Sequence, residues 1–152
     1  MIRISRLADY GSLLLAHIVT CTNEPVHTAR NLAEQCRLPY PTVSKVLKVL
    51  VRGGLLVSQR GIKGGYRLAR SPEQITIAQI IEAVEGPIAM TECSVHVDGA
   101  CELESCCEVR SNWLRINELI VTALESITLV DLAKTCTPQS PLVRIGSVVE
   151  EK

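Results

Sequence analysis

The chain of 152 residues carries 16 basic and 16 acidic side chains, is 47% hydrophobic, and contains seven cysteines, one Trp and no Phe. That length suits one domain, or a compact core with an appended dimerisation segment, and the apolar fraction argues against wholesale disorder. No apolar run approaches the roughly 20 residues of a bilayer span, and Met-Ile-Arg-Ile-Ser lacks the start of a secretory signal, so the cytoplasm is the expected compartment. There, an odd number of cysteines points to thiols or metal ligands and away from a disulfide framework.

Zero net charge conceals a segregation. Thr28 to Arg70 holds nine basic residues and one acidic one, whereas Ser71 to Lys152 holds five basic and thirteen acidic. The middle segment is thus a candidate surface for a polyanion, although a basic run is as often a plain solvated face.

In chain order, Leu7, Leu14, Leu15 and Ile18 fall on one face of a helix predicted over about Ser5 to Cys21. A second helix, about Ala29 to Cys36, starts after Thr28 and ends before Leu38-Pro39-Tyr40-Pro41, because residues preceding proline avoid helical angles. Pro41 suits the first turn of a third helix, with Val43, Val46, Leu47 and Leu50 as its buried stripe. Thr42, Ser44, Lys45, Lys48 and Arg52 then face outward, and Gly53-Gly54 stops the helix. Two short apolar runs, Leu55 to Gln59 and Tyr66 to Ala69, flank the basic glycine-rich segment Arg60 to Gly65 and predict a hairpin.

Three helices followed by a basic hairpin read as a winged helix-turn-helix, mostly α with a small β-hairpin wing. In such a module the third helix enters the major groove, where Thr42, Ser44 and Lys45 reach base edges and Lys48 and Arg52 meet phosphates. Arg60 and Lys63 at the wing tip reach an adjacent minor groove or its phosphates. The expected partner is double-stranded promoter DNA. The glycine loop lacks the G-x-x-x-x-G-K-[ST] pattern of a nucleotide-binding loop.

Thr76-Ile77-Ala78-Gln79 has the form of a capping box, opening a helix that ends at Gly86-Pro87. The segment from Pro87 to Glu108 shows no period and contains Cys93, His96, Cys101, Cys106 and Cys107; a loop that long is usually functional or disordered. From Trp113 to Leu129 a helical pattern resumes. Its polar residues Arg115, Glu118, Thr122 and Glu125 form one narrow stripe, and most of the remaining circumference is apolar. So wide an apolar surface predicts a homodimer, with Trp113, Ile116, Ile120, Leu124 and Ile127 at the contact; burial within one subunit is the alternative. Thr137-Pro138-Gln139-Ser140-Pro141 reads as a loose tail. The resulting plan is a DNA-binding domain over 1–86, a cysteine loop over 87–112, a long dimerisation helix and short following helix over 113–134, and a tail over 135–152.

The cysteine spacing leaves three readings open. Cys93, Cys101 and Cys107 can hold an iron-sulfur cluster; the three thiolates with His96 can hold zinc; or the thiols are free. No Ser/His/acid or Cys/His constellation is legible, and the three histidines lie in different contexts, so neither an enzyme nor a small-molecule substrate is expected. A cluster carrier, the rival among non-enzymes, would not need the basic segment.

On Leu7-Ala8-Asp9-Tyr10-Gly11, the wing segment Arg60 to Leu68, the three-cysteine loop with Trp113, and Ile127-Thr128-Leu129, the chain resembles the bacterial winged-helix iron-sulfur regulators that include IscR and NsrR. The resemblance covers about residues 1 to 134. Cys107-x-Val109-Arg110-x-Asn112-Trp113 looks closest to regulators of the SUF iron-sulfur assembly system. It implies a 2Fe-2S or 4Fe-4S cluster on Cys93, Cys101 and Cys107 and repression of assembly genes, with nitric-oxide or redox sensing at other genes as the alternative. IscR-like members carry a His where Arg110 stands, which opens the fourth ligand position. Asp9 of the partner subunit is the first candidate by that likeness, ahead of Cys106, His96 and Glu102. IscR-like members also have a Glu at the position of Ser44, so their target sequence does not transfer.

Overall fold

The computed structural model describes residues 3–21, 25–61, 63–95, 101–102 and 106–134. His96 and the expected tail, with Cys136, lie outside the described residues.

Three helices pack around one core. Helix α1 (Arg6–Thr20) starts where the Ser5 hydroxyl accepts the Ala8 N–H at 3.2 Å, and it buries Leu14, Leu15 and Ile18. Helix α2 (Ala29–Gln35) is capped in the same way by Thr28, whose hydroxyl accepts the Asn31 N–H at 3.1 Å; such caps satisfy amide donors that the first helical turn leaves unpaired. Helix α3 (Tyr40–Arg52) has Pro41 in its first turn and presents Val43, Val46, Leu47 and Leu50 to the core, none more than 1% exposed. Gly54, with φ 70°, ends it in the left-handed conformation that glycine tolerates best.

Strands β1 (Leu56–Gln59) and β2 (Gly65–Leu68) form the expected antiparallel hairpin, with Leu56 opposite Leu68 and Gln59 opposite Gly65. A further pairing ties the hairpin to the helices: the His27 N–H donates to the Tyr66 carbonyl at 2.9 Å, and the Tyr66 N–H to the His27 carbonyl at 2.8 Å.

Helix α4 (Ile77–Glu85) opens with both hydrogen bonds of the capping box, between Thr76 and Gln79, at 3.3 Å each. Among its described residues the segment after Gly86, expected to lack structure, holds one 3-10 turn, over Glu92–Ser94.

The long helix departs from its expected bounds. Helix α5 (Arg110–Glu125) begins three residues before Trp113 and ends four short of Leu129; a separate helix α6 (Leu129–Lys134) follows. The break has a local cause. Thr128 and Asp131 form their own cap: the carboxylate accepts the Thr128 N–H at 3.0 Å, and the Thr128 hydroxyl accepts the Asp131 N–H at 3.3 Å. The residues between the helices run extended against the start of α4. The Ile77 N–H donates to the Ile127 carbonyl at 3.0 Å and the Leu129 N–H to the Ile75 carbonyl at 2.7 Å. Ile127 therefore sits in a half-buried connection and not on the long helix. Leu129 is fully buried with Leu14, Leu15 and Leu50 in one core cluster, and α6 packs on α1.

Candidate nucleic-acid interface and cysteine loop

Burying the stripe of α3 turns its opposite side outward. Lys45, Lys48 and Arg52 are exposed and Thr42 and Ser44 half-buried, as the helical period requires. Arg60 and Lys63 are exposed at the hairpin tip. Between α3 and the hairpin runs a groove of about 440 Å³ lined by Lys48, Val51, Arg52, Ser58 and Tyr66. It gathers the two expected phosphate-contacting cations beside two hydroxyl-bearing side chains that sequence reasoning missed. Ser58 and Tyr66 pair directly across the hairpin, and that register exists only once the turn is fixed.

The cysteine loop is fastened to α5. The Asn117 side chain accepts the Met90 N–H at 2.9 Å and donates to the Ile88 carbonyl at 3.2 Å. The turn that follows, carrying Cys93, packs on the same helix. There the Thr91 hydroxyl lies 3.1 Å from the Cys93 sulfur and 2.8 Å from the hydroxyl of buried Ser94. At the other end of the loop, the Cys107 carbonyl accepts the Arg110 N–H at 3.3 Å as α5 begins. Cys101 and Cys107 are half-buried free thiols and Cys106 is exposed. Asp9 is exposed in the first turn of α1. Asn117 was missed, yet it had a signal: a polar amide flanked along the helix by Leu114, Val121 and Leu124 calls for hydrogen-bond partners.

The donor chemistry of these thiols suits iron-sulfur or zinc binding, because thiolates are soft ligands. Among the described residues, however, no three His, Cys, Asp or Glu side chains are gathered closely enough to hold a metal ion. Cys93 and Cys107 are thus each attached to α5, but no complete ligand set is assembled among the described residues.

Helix α5 has three faces. Leu114, Asn117, Ile120, Val121 and Leu124 are half-buried; Arg115, Glu118, Thr122 and Glu125 form the expected polar stripe. The third face is apolar and open, with Val109, just before the helix, 52% exposed, Trp113 39%, Ile116 41% and Leu119 62%. No described helix is long and apolar enough to cross a membrane.

Residues 4–135 match the Rrf2 family model, described as an iron-dependent transcriptional regulator. The chain is 30% identical over 131 residues to the transcriptional regulator CymR of Bacillus subtilis, covering 86% of this chain and 89% of that one. It is 26% identical over 130 residues to NsrR of Halalkalibacterium halodurans, covering 86% and 89%. Among solved structures, B. subtilis CymR, described as the global cysteine regulator, superposes with a TM-score of 0.67 at 29% identity, covering 89% of this chain and 98% of that one. IscR of T. potens superposes with a TM-score of 0.66 at 27% identity, covering 97% and 94%. These relatives are regulators and not enzymes, and their winged-helix architecture is the one described above. The chain belongs to the Rrf2 family of helix-turn-helix transcriptional regulators.

Proposed function

We propose that this protein is an iron-sulfur-sensing repressor of SUF cluster-assembly genes, acting as a homodimer on promoter DNA. The observation that carries the reading is the attachment of the Cys93 turn and of Cys107 to one helix, α5, whose other side is an open apolar face. In this reading residues 1–86 grip the duplex and the loop from 87 onward senses. Thr42, Ser44 and Lys45 read bases, Lys48 and Arg52 meet phosphates, and Arg60 and Lys63 reach an adjacent minor groove or its phosphates. Trp113, Ile116, Ile120 and Leu124 join the two subunits.

Cys93, Cys101 and Cys107 would hold the cluster, with Asp9 of the partner subunit as fourth ligand and Cys106 as its substitute. When bound, a 2Fe-2S or 4Fe-4S cluster supplies a redox- and nitric-oxide-sensitive bond among these side chains. The chain's own part is mechanical. Asn117 keeps the loop on α5, and the 127–129 connection carries α5 into the DNA-binding head.

Anaerobic purification with an absorption spectrum and iron, sulfide and zinc analysis, followed by gel shift of cluster-loaded and cluster-free protein on a suf promoter, tests the reading. The expected result is coloured protein with iron and sulfide in equal amounts and different promoter affinities for the two forms. Colourless protein with stoichiometric zinc overturns the cluster, and equal affinities overturn the regulatory link.

A second reading, a regulator with no cluster, is favoured by the thiols not being gathered among the described residues and by the likeness to CymR. It predicts that replacing Cys93, Cys101 and Cys107 together by alanine leaves promoter control in cells unaltered.

A further inference from the structure

The face of the hairpin that meets α3 changes character along its length. Side chains two apart on a strand share a face, so Leu56 and Ser58 of β1 look the same way as their partners Leu68 and Tyr66 of β2. Leu56 is 1% exposed in the core, and β1 packs on α3, so this face carries Ser58 and Tyr66 out over the C-terminal half of that helix. Tyr66 is firmly held there: its N–H and carbonyl are both paired with His27, and it packs against the core cluster. Lys48 and Arg52, one helical turn apart on α3, stand across the groove with Val51. Among the described residues no acidic side chain lines this groove, and neither its two hydroxyls nor its two cations have a hydrogen-bond or ion-pair partner. Four donors therefore border a space that offers them no acceptor.

We propose that this groove seats a DNA phosphodiester, drawn in by the charge of Lys48 and Arg52, with the Ser58 and Tyr66 hydroxyls donating to its free oxygens. The inference rests on the reading that residues 1–86 grip a duplex, and it adds two contact residues and a division of labour. The cations bring affinity that falls with salt, because they release counterions from the DNA; the hydroxyls carry no charge and release none, so their share is independent of salt. Their hydrogen bonds, made to a charged acceptor, belong to the stronger class. A phosphate held between the recognition helix and a wing strand fixes the height of both above one DNA strand, and it reads no base. Ser58 and Tyr66 are positioning residues.

Phosphate-by-phosphate replacement tests it. The full chain first recovers a duplex from a random-sequence pool, so that no operator is assumed. One phosphate in each half-site is then replaced by a methylphosphonate, which is uncharged and has one free oxygen fewer. Tyr66→Phe and Ser58→Ala should each weaken binding about tenfold, alike on every sequence, and leave the slope of log K against log salt unchanged. At one phosphate position, the same for both variants, the methylphosphonate should cost each variant about threefold less than it costs the wild type, whereas at other positions the two losses should multiply. Variants that bind as well as the wild type, or losses that multiply at every phosphate, overturn the seat and leave the DNA-binding reading standing. Failure to recover any duplex overturns both. Tyr66→Phe keeps its ring on the core, and Ser58→Ala, on an exposed side chain, runs the same cycle should that variant not fold.

Discussion

At position 65 a side chain would have no room: a Cβ there would stand 2.5 Å from the His27 carbonyl oxygen, which accepts the Tyr66 N–H in the pairing that holds the hairpin to the helices. Gly65→Ala should therefore cost on the order of 1–3 kcal/mol, the range for overpacking, measured as a lower denaturant midpoint, with weaker promoter binding because the wing is displaced. A second residue gives a pH effect. The Thr128 hydroxyl and N–H hold the Asp131 carboxyl below its ordinary value near 3.8. The folded state thus favours the charged form, and this contribution is present above that value and lost as pH falls through the lowered one. Helix α6 should loosen in that acid window, seen as faster amide exchange at Leu132, whereas Asp131→Asn should show no such dependence. Residues whose partners are near in sequence were legible: Thr76 with Gln79 caps a helix at three residues' distance. Asn117 and His27 were not, because their partners come from 27 to 39 residues away and only the finished fold brings them close.

Helices α1 to α4 and the hairpin follow from hydrophobic period, caps and glycines, so sequence and structure agree there to within a residue or two. Helix α5 misled because apolar residues continue past its end at the right spacing, while the stop lies in the Thr128/Asp131 cap, a polar signal inside an apolar run. The open face of α5 makes its own prediction. Trp113→Asp combined with Ile116→Asp should yield monomers in sedimentation with the far-ultraviolet spectrum unchanged, since both side chains are exposed in the single chain. Along α3, Lys48→Ala and Arg52→Ala should each weaken binding to all sequences alike and reduce the slope of log K against log salt by about 0.9 for each phosphate no longer neutralised.

For the molecule as a whole, charge and core are divided unequally along the chain. Basic residues concentrate in 28–70, and a dimer neutralising roughly 6 to 10 phosphates should lose about 10³ to 10⁵ in affinity between 50 and 200 mM salt. The core, by contrast, crosses the chain's length: Leu129, far from the DNA-binding helices in sequence, is fully buried among them. Leu129→Ala should cost about 2–5 kcal/mol of global stability, read from denaturant unfolding, as a core truncation does. The thiol cradle was the least legible part, because spacing states which donors are available and not whether the chain folds them toward one point. The return of the chain beneath α4 carries a mechanical corollary. With residues 88 and 90 clasped at Asn117 and residues 127 and 129 laced to 77 and 75, α5 resembles a crankshaft held by one bearing at its midpoint and another just past its C-terminal end. A few degrees of roll would reach both α4 and α6 without backlash and, in the proposed dimer on DNA, re-aim both copies of α3 together.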